Sequence, residues 1–194
     1  MVYVFLADGF EEVEAIAPID MLRRAEVDVI TVKVGGDDWQ YKGVMGSHGI
    51  EVTADICENE IDLSNYANLE MIVLPGGAAG VEKLYNSNEV RGSINLCNDF
   101  NIPIGAICAA PSIIARLGYF KNYWKAVKAT AHPLFRHYLT ENGAILEETE
   151  KVVTDGIFTT AAAAGVSVEF GLELVRILKG DDEAKKIGEQ ILFY

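Results

Sequence analysis

Four short apolar runs, Val2–Ala7, Val27–Val34, Met71–Pro75 and Ile102–Ile107, recur along the chain without a clean alternation of polar and apolar residues. A strand with one wet face alternates, whereas a run that does not is covered on both faces, as in parallel sheets. Helical patterns separate these runs. Glu11–Ala25 and Asn88–Asn101 read as crossover helices, Pro111–Leu117 follows a strand directly, and Ser167–Leu178 is helical and stops at Gly180. This alternation predicts an α/β fold with a doubly wound, mostly parallel sheet and helices on both faces. The glycine-containing stretch Gly35–Thr53 reads as a hairpin insertion at one edge of the sheet, and Val152–Asp155 with Ile157–Thr160 as a second strand pair around Gly156. No repeat or low-complexity linker divides the sequence, so residues 1–194 read as a single domain.

With 194 residues, half of them apolar, the chain is long enough to bury a substantial core. Its formal charge of −13 sets up a field that repels phosphate backbones and anionic lipid heads, which disfavours nucleic acid and membranes as partners. The opening segment reads as a strand rather than a secretory leader. The apolar stretch Ile102–Ala115 contains Pro103 and Pro111 and is shorter than the roughly 20 residues of a spanning helix, so it reads as core. Cys57, Cys97 and Cys108 form no C-x-x-C pair, which signals neither a disulfide framework nor a zinc site and fits a cytoplasmic setting.

Chemistry concentrates in Ile104-Gly105-Ala106-Ile107-Cys108-Ala109-Ala110-Pro111-Ser112, where a buried strand runs into a helix with small residues on both sides of the cysteine. A nucleophile on such a turn is exposed at the carboxyl edge of the sheet, and a helix N-terminus favours the thiolate. An inert core cysteine fits the local sequence equally well, and packing is the expected role of Cys57 and Cys97. Leu74-Pro75-Gly76-Gly77-Ala78-Ala79-Gly80 also follows a buried strand, and its glycines either form an oxyanion site or simply make a tight turn. Neither G-x-x-x-x-G-K-[ST] nor G-x-G-x-x-G is present.

Glu14 shares a helical face with Phe10, Ala17, Pro18 and Met21, surroundings that raise the pKa of a carboxyl. Glu11 and Glu12 are accounted for by favourable charge at a helix start. Pro18 removes a hydrogen bond to the Glu14 carbonyl and predicts a kink. His132 sits on a turn from which an imidazole reaches a neighbouring thiol, although a lone histidine is more often a surface or satisfied core residue. Tyr119, Phe120, Tyr123 and Trp124 read as packing under a loop rather than capping a pocket.

Asp8–Glu14, Pro18–Ala25, Val73–Gly77, Ala106–Pro111, Ala131–Pro133 and Ser167–Phe170 together resemble the DJ-1 branch of the DJ-1/ThiJ/PfpI superfamily over almost the whole chain. The resemblance implies a flavodoxin-like fold and a homodimer, with Cys108 as the reactive thiol, Glu14 as the acid hydrogen-bonded to it and oxyanion-type amides at Gly77 and Ala109. His132 matches the family's nearby histidine and Arg24 an arginine near the dimer contact. No metal or organic cofactor is implied. Glyoxalase and deglycase activities without glutathione, chaperone activity and sensing of oxidative stress are all ascribed to this family.

Ala109 follows the cysteine where protease-like members carry histidine, and the His-x-Glu pair of class I glutaminases is missing from His132-Pro133-Leu134. Three departures stand out. Ala161–Ala164 occupy a position where the branch carries an arginine and a glycine, the segment from Cys108 to His132 is a few residues longer, and Glu26 replaces a turn glycine. Two functions are therefore expected to compete: cysteine-dependent turnover of a small dicarbonyl such as methylglyoxal, and a redox sensor or holdase chaperone acting through oxidation of the same cysteine.

Overall fold

The structure, a computed structural model, describes residues 1–121 and 126–194. Its elements run β1 (Val2–Ala7), α1 (Glu12–Arg24), β2 (Val29–Val34), β3 (Gly43–Met45), β4 (Glu51–Thr53), β5 (Ile56–Cys57), β6 (Met71–Leu74), α2 (Ala78–Asn86), α3 (Asn88–Phe100), β7 (Ile104–Ile107) and α4 (Pro111–Arg116). They continue through β8 (Lys128–Ala129), α5 (Arg136–Glu141), β9 (Ile145–Leu146), β10 (Val152–Asp155), β11 (Phe158–Ala161), α6 (Ser167–Lys179) and α7 (Asp181–Gln190). Seven strands form the main sheet in the order β10-β11-β7-β6-β1-β2-β5, parallel throughout except for the antiparallel β10.

The missing alternation in β1 has a direct structural cause. Tyr3, Phe5 and Ala7 enter one core, and Val2, Val4 and Leu6 the other. The first core is closed by apolar residues of α2, α3, α4 and α5, the second by those of α1, α6 and α7. Gly171 lets α6 approach α1 closely, since a Cβ there would lie 2.8 Å from Met21 Cγ and 3.0 Å from Pro18 Cα. Pro18, although inside α1, is buried in this contact.

The chain reverses its direction of travel across the sheet between β1 and β6, which opens a crevice at their carboxyl ends, the usual ligand position in open α/β sheets. The hairpin expected at an edge of the main sheet is instead a separate two-stranded ribbon of β3 and β4, and the edge strand is β5. Bonds from Gly9 N–H to the Met45 carbonyl and from Ser47 N–H to the Phe10 carbonyl hold this ribbon over the start of α1. The strand pair expected around Gly156 is present as β10 and β11, which run antiparallel, with Gly156 at φ 63° in the turn. Phe120 is fully buried against Phe158, with ring centroids 5.3 Å apart, whereas Tyr123 and Trp124 lie outside the described residues. Among the described residues, no helix is long and apolar enough to cross a membrane.

Candidate active site

Cys108 follows β7 immediately and adopts φ 64°, the left-handed region that an L-residue other than glycine rarely enters. The turn is held from both sides. Cys108 N–H donates to the Ala161 carbonyl at 2.8 Å, and the Cys108 carbonyl accepts from His132 N–H at 2.9 Å. Such an observed outlier, fixed by β11 on one side and the His132 turn on the other, is the strained turn that lifts a nucleophile out of a sheet. Cys108 is partly exposed, whereas Cys57 and Cys97 are fully buried.

Glu14, in the first turn of α1, is 1% exposed, and its Oε2 has no hydrogen-bond partner among the described residues. Burial pushes its carboxyl up to about 7, and the neighbouring Glu11 charge adds to the rise. The Cys108 thiol and the amides of Gly76 and Ala164 work in the opposite direction. Burial and then the Glu14 charge push the Cys108 thiol up to about 12, against the pull of the Ala109 and Gly77 amides. Thiol and carboxyl are therefore one coupled pair. Proton loss from the pair leaves either a carboxylate beside a thiol or a protonated carboxyl beside a thiolate, and in the second form Glu14 donates to sulfur.

Gly76 makes this contact possible. A Cβ there would fall 2.1 Å from Glu14 Oε2 and 2.7 Å from Cys108 Cβ. Gly77, at φ 88°, leaves equally little room, since a Cβ would lie 2.3 Å from the Gly9 carbonyl oxygen. The Gly76-Gly77 turn thus brings the Gly77 amide to the sulfur and the Gly76 amide to the Glu14 carboxyl. The role of Gly76 as the spacer between acid and thiol is not legible in the sequence, where it is one of several glycines after a strand.

His132 is tied to Cys108 through its backbone. Its ring Nδ1 accepts from Leu134 N–H at 3.3 Å, capping the Pro133–Phe135 turn, and the ring lies 6.4 Å from that of Phe135. The structure thus gathers Cys108, Glu14, Gly77 and Ala109 at one point and brings the His132 main chain beside them.

Glu12 contrasts with Glu14 although it is also buried. Burial alone would raise its carboxyl, but hydrogen bonds from the His48 ring and the His48 and Ile50 amides hold it down at about 2. It accepts from His48 N–H at 2.7 Å and faces His48 Nδ1 at 2.7 Å, latching the turn between β3 and β4 to α1. Glu11, Glu12 and His48 are the group of potential metal ligands found among the described residues, with ligand atoms within 4.8 Å of one another. The Glu12 oxygens are already committed to the latch.

A family profile described as the DJ-1/PfpI family matches residues 1–177. Protein DJ-1 homolog B of Arabidopsis thaliana is 31% identical over 98% of this chain, which spans only 41% of that relative's length. Deglycase TK1284 of Thermococcus kodakarensis is 27% identical over 92% of this chain and 99% of its own. The crystal structure of Drosophila melanogaster DJ-1beta superposes with a TM-score of 0.87 at 27% identity, covering 98% of this chain and 96% of that one. The oxidised Toxoplasma gondii DJ-1 gives 0.84 at 28% identity, covering 98% and 97%.

Proposed function

Because the chain belongs to the DJ-1/PfpI family, with its flavodoxin-like fold, we propose that it converts small reactive dicarbonyls such as methylglyoxal to 2-hydroxy acids through Cys108, without glutathione. The observation that carries this reading is the left-handed Cys108 turn facing a buried, protonatable Glu14 with the amides of Gly77 and Ala109 at the sulfur. The relative named a deglycase supports it.

In this mechanism the Cys108 sulfur bonds to the aldehyde carbon, and its proton passes to ionised Glu14, whose pKa near 7 suits it to exchange protons at neutral pH. The Gly77 and Ala109 amides receive the oxygen that becomes negative. Glu14 hands its proton to that oxygen, giving a hemithioacetal and restoring the carboxylate, and a proton then leaves the former aldehyde carbon and returns to the adjacent carbon through an enediol, giving a 2-hydroxy thioester, with Glu14 or His132 as the carrier. Water hydrolyses the thioester, releasing the 2-hydroxy acid and restoring the thiol. One water is consumed, and the oxidation of one carbon balances the reduction of its neighbour.

Purified protein without glutathione is expected to consume methylglyoxal and form lactate, with turnover lost in Cys108→Ser and reduced in Glu14→Ala. Turnover no faster than the buffer control sinks the reading.

A redox sensor or holdase chaperone is the second reading, favoured by the buried, protonatable Glu14 carboxyl beside the Cys108 thiol and by the oxidised state of the Toxoplasma relative. Peroxide would transfer one oxygen to the thiolate, releasing water and leaving a sulfenate, and a second equivalent would give the sulfinate, to which protonated Glu14 donates. Mass spectrometry after graded peroxide would then find oxidation confined to Cys108. A homodimer in the cytoplasm completes the proposal. Val13 and Ile16 on the outer face of α1 are 51% and 42% exposed, and the Asp20–Arg24 ion pair lies on the same helix. Light scattering tests this.

A further inference from the structure

Two features of the Cys108 surroundings act together. The first is size. Gly76, Gly77, Ala109 and the run Ala161–Ala164 contribute nothing larger than a methyl group, and they reach the site through the Cys108–Ala161 bond, the Gly76 contact with Cys108 Cβ and the Ala164 amide near Glu14.

The second is charge. Glu11 is fixed at the mouth of the crevice, its N–H donating to the Gly76 carbonyl at 3.1 Å and its Oε2 accepting from Glu14 N–H at 2.7 Å. Its side chain is 16% exposed, and its ion-pair partner among the described residues, His48 Nδ1, lies 3.8 Å from Oε1 but only 2.7 Å from Glu12 Oε2. The Arg136 guanidinium is turned to the Ala131 and Glu148 carbonyls, and Lys151 is exposed, its carbonyl accepting from Ala162 N–H. An anion reaching Cys108 thus meets the Glu11 carboxylate and walls of small uncharged residues, within the field of a chain of net charge −13.

We propose that the site discriminates by charge, admitting small uncharged carbonyl compounds and holding off α-oxo acids and other small anions, with Glu11 as the specificity-determining residue. As a statement about substrates this rests on the dicarbonyl reading. As a statement about the field at the sulfur it does not.

The test uses two alkylating agents of nearly equal size, neutral iodoacetamide and anionic iodoacetate, at Cys108, with their rate ratio referred to that of a small free thiol. At low salt the ratio is expected to favour the neutral reagent about threefold to tenfold beyond the free thiol, the range for one nearby fixed charge in a partly wet site. Half-molar salt shrinks the excess. Glu11→Gln, which keeps an oxygen for the Glu14 N–H, removes most of it. Asp181→Asn, an equal change of net charge at the start of α7, leaves it in place. A ratio equal to that of the free thiol, or one indifferent to Glu11→Gln, overturns the proposal.

In the same proteins kcat/KM is measured for methylglyoxal and for glyoxylate. Equal values for the two substrates overturn the substrate-class inference. Absence of turnover on both overturns the dicarbonyl reading and the substrate class with it, and the alkylation ratio still decides whether Glu11 sets the field.

Discussion

Glu14→Gln removes the charge from the most deeply buried acid of the site and keeps its shape. In the folded protein the Glu14 carboxyl titrates near 7, against 4.5 for a free glutamate. A raised value means that the fold prefers the protonated form. The contribution of Glu14 to stability is therefore fully present below about 4.5, is lost as pH rises through about 7, and is flat above that. At about 1.4 kcal/mol per pH unit the whole difference is about 3 kcal/mol, of which about 2 to 3 kcal/mol falls between pH 5 and pH 8. Gln cannot ionise, so its variant lacks this term. Urea unfolding of both proteins at matched concentration, at pH 5, 6, 7 and 8, should show wild type losing about 2 to 3 kcal/mol relative to Glu14→Gln across the series. Comparing the two proteins cancels the other carboxylates, Glu12 included. Parallel curves would refute the argument, because they would mean that Glu14 is equally solvated in the folded and unfolded states.

Other outcomes follow from the same contacts. Alkylation of Cys108 by iodoacetamide should rise with pH around a midpoint near 7, where the coupled pair loses its first proton, and this step should vanish in Glu14→Gln. Gly76→Ala drives a methyl into Glu14 and Cys108, so a stability loss of about 1 to 3 kcal/mol and a slower thiol are expected by urea unfolding and alkylation. Glu26 holds φ 55° after α1, where glycine avoids a cost of about 1 to 2 kcal/mol but gives back about half of it in chain entropy; Glu26→Gly should stabilise by about 0.5 to 1 kcal/mol in the same assay. Glu12→Ala removes the acceptor for the His48 and Ile50 amides, so faster hydrogen exchange at those two amides, with little change in β1, is the expected signature.

Much of the architecture is legible in the residues alone. Apolar runs without alternation mean strands buried on both sides, and the two cores flanking β1 are that statement in three dimensions. The helices missed are those with weak periodic signals. α2 begins Ala-Ala-Gly and buries only Gly80, Val81 and Leu84, while α7 is mostly charged and announces itself through Asp181, Asp182 and Glu183 in its first turn. The small residues around Cys108 mark the turn in advance, but its φ of 64° depends on bonds to Ala161 and His132, which are far away in sequence.

The glutamates show where local reasoning ends. Glu12 and Glu14 lie two residues apart on one helix and are both buried, yet one carboxyl is held at about 2 and the other raised to about 7. Residue type and helical spacing make both of them acids on α1. Their opposite ionisation is decided by what the fold brings against each: the donors of the ribbon turn around His48 for Glu12, and burial, with the Glu11 charge adding to it, for Glu14. Ionisation depends on the solvation and hydrogen bonds around the carboxyl, and for these two residues those come from partners distant in the chain, which is why the electrostatics of the site exist only once the ribbon, α1 and the Gly76 turn have packed together.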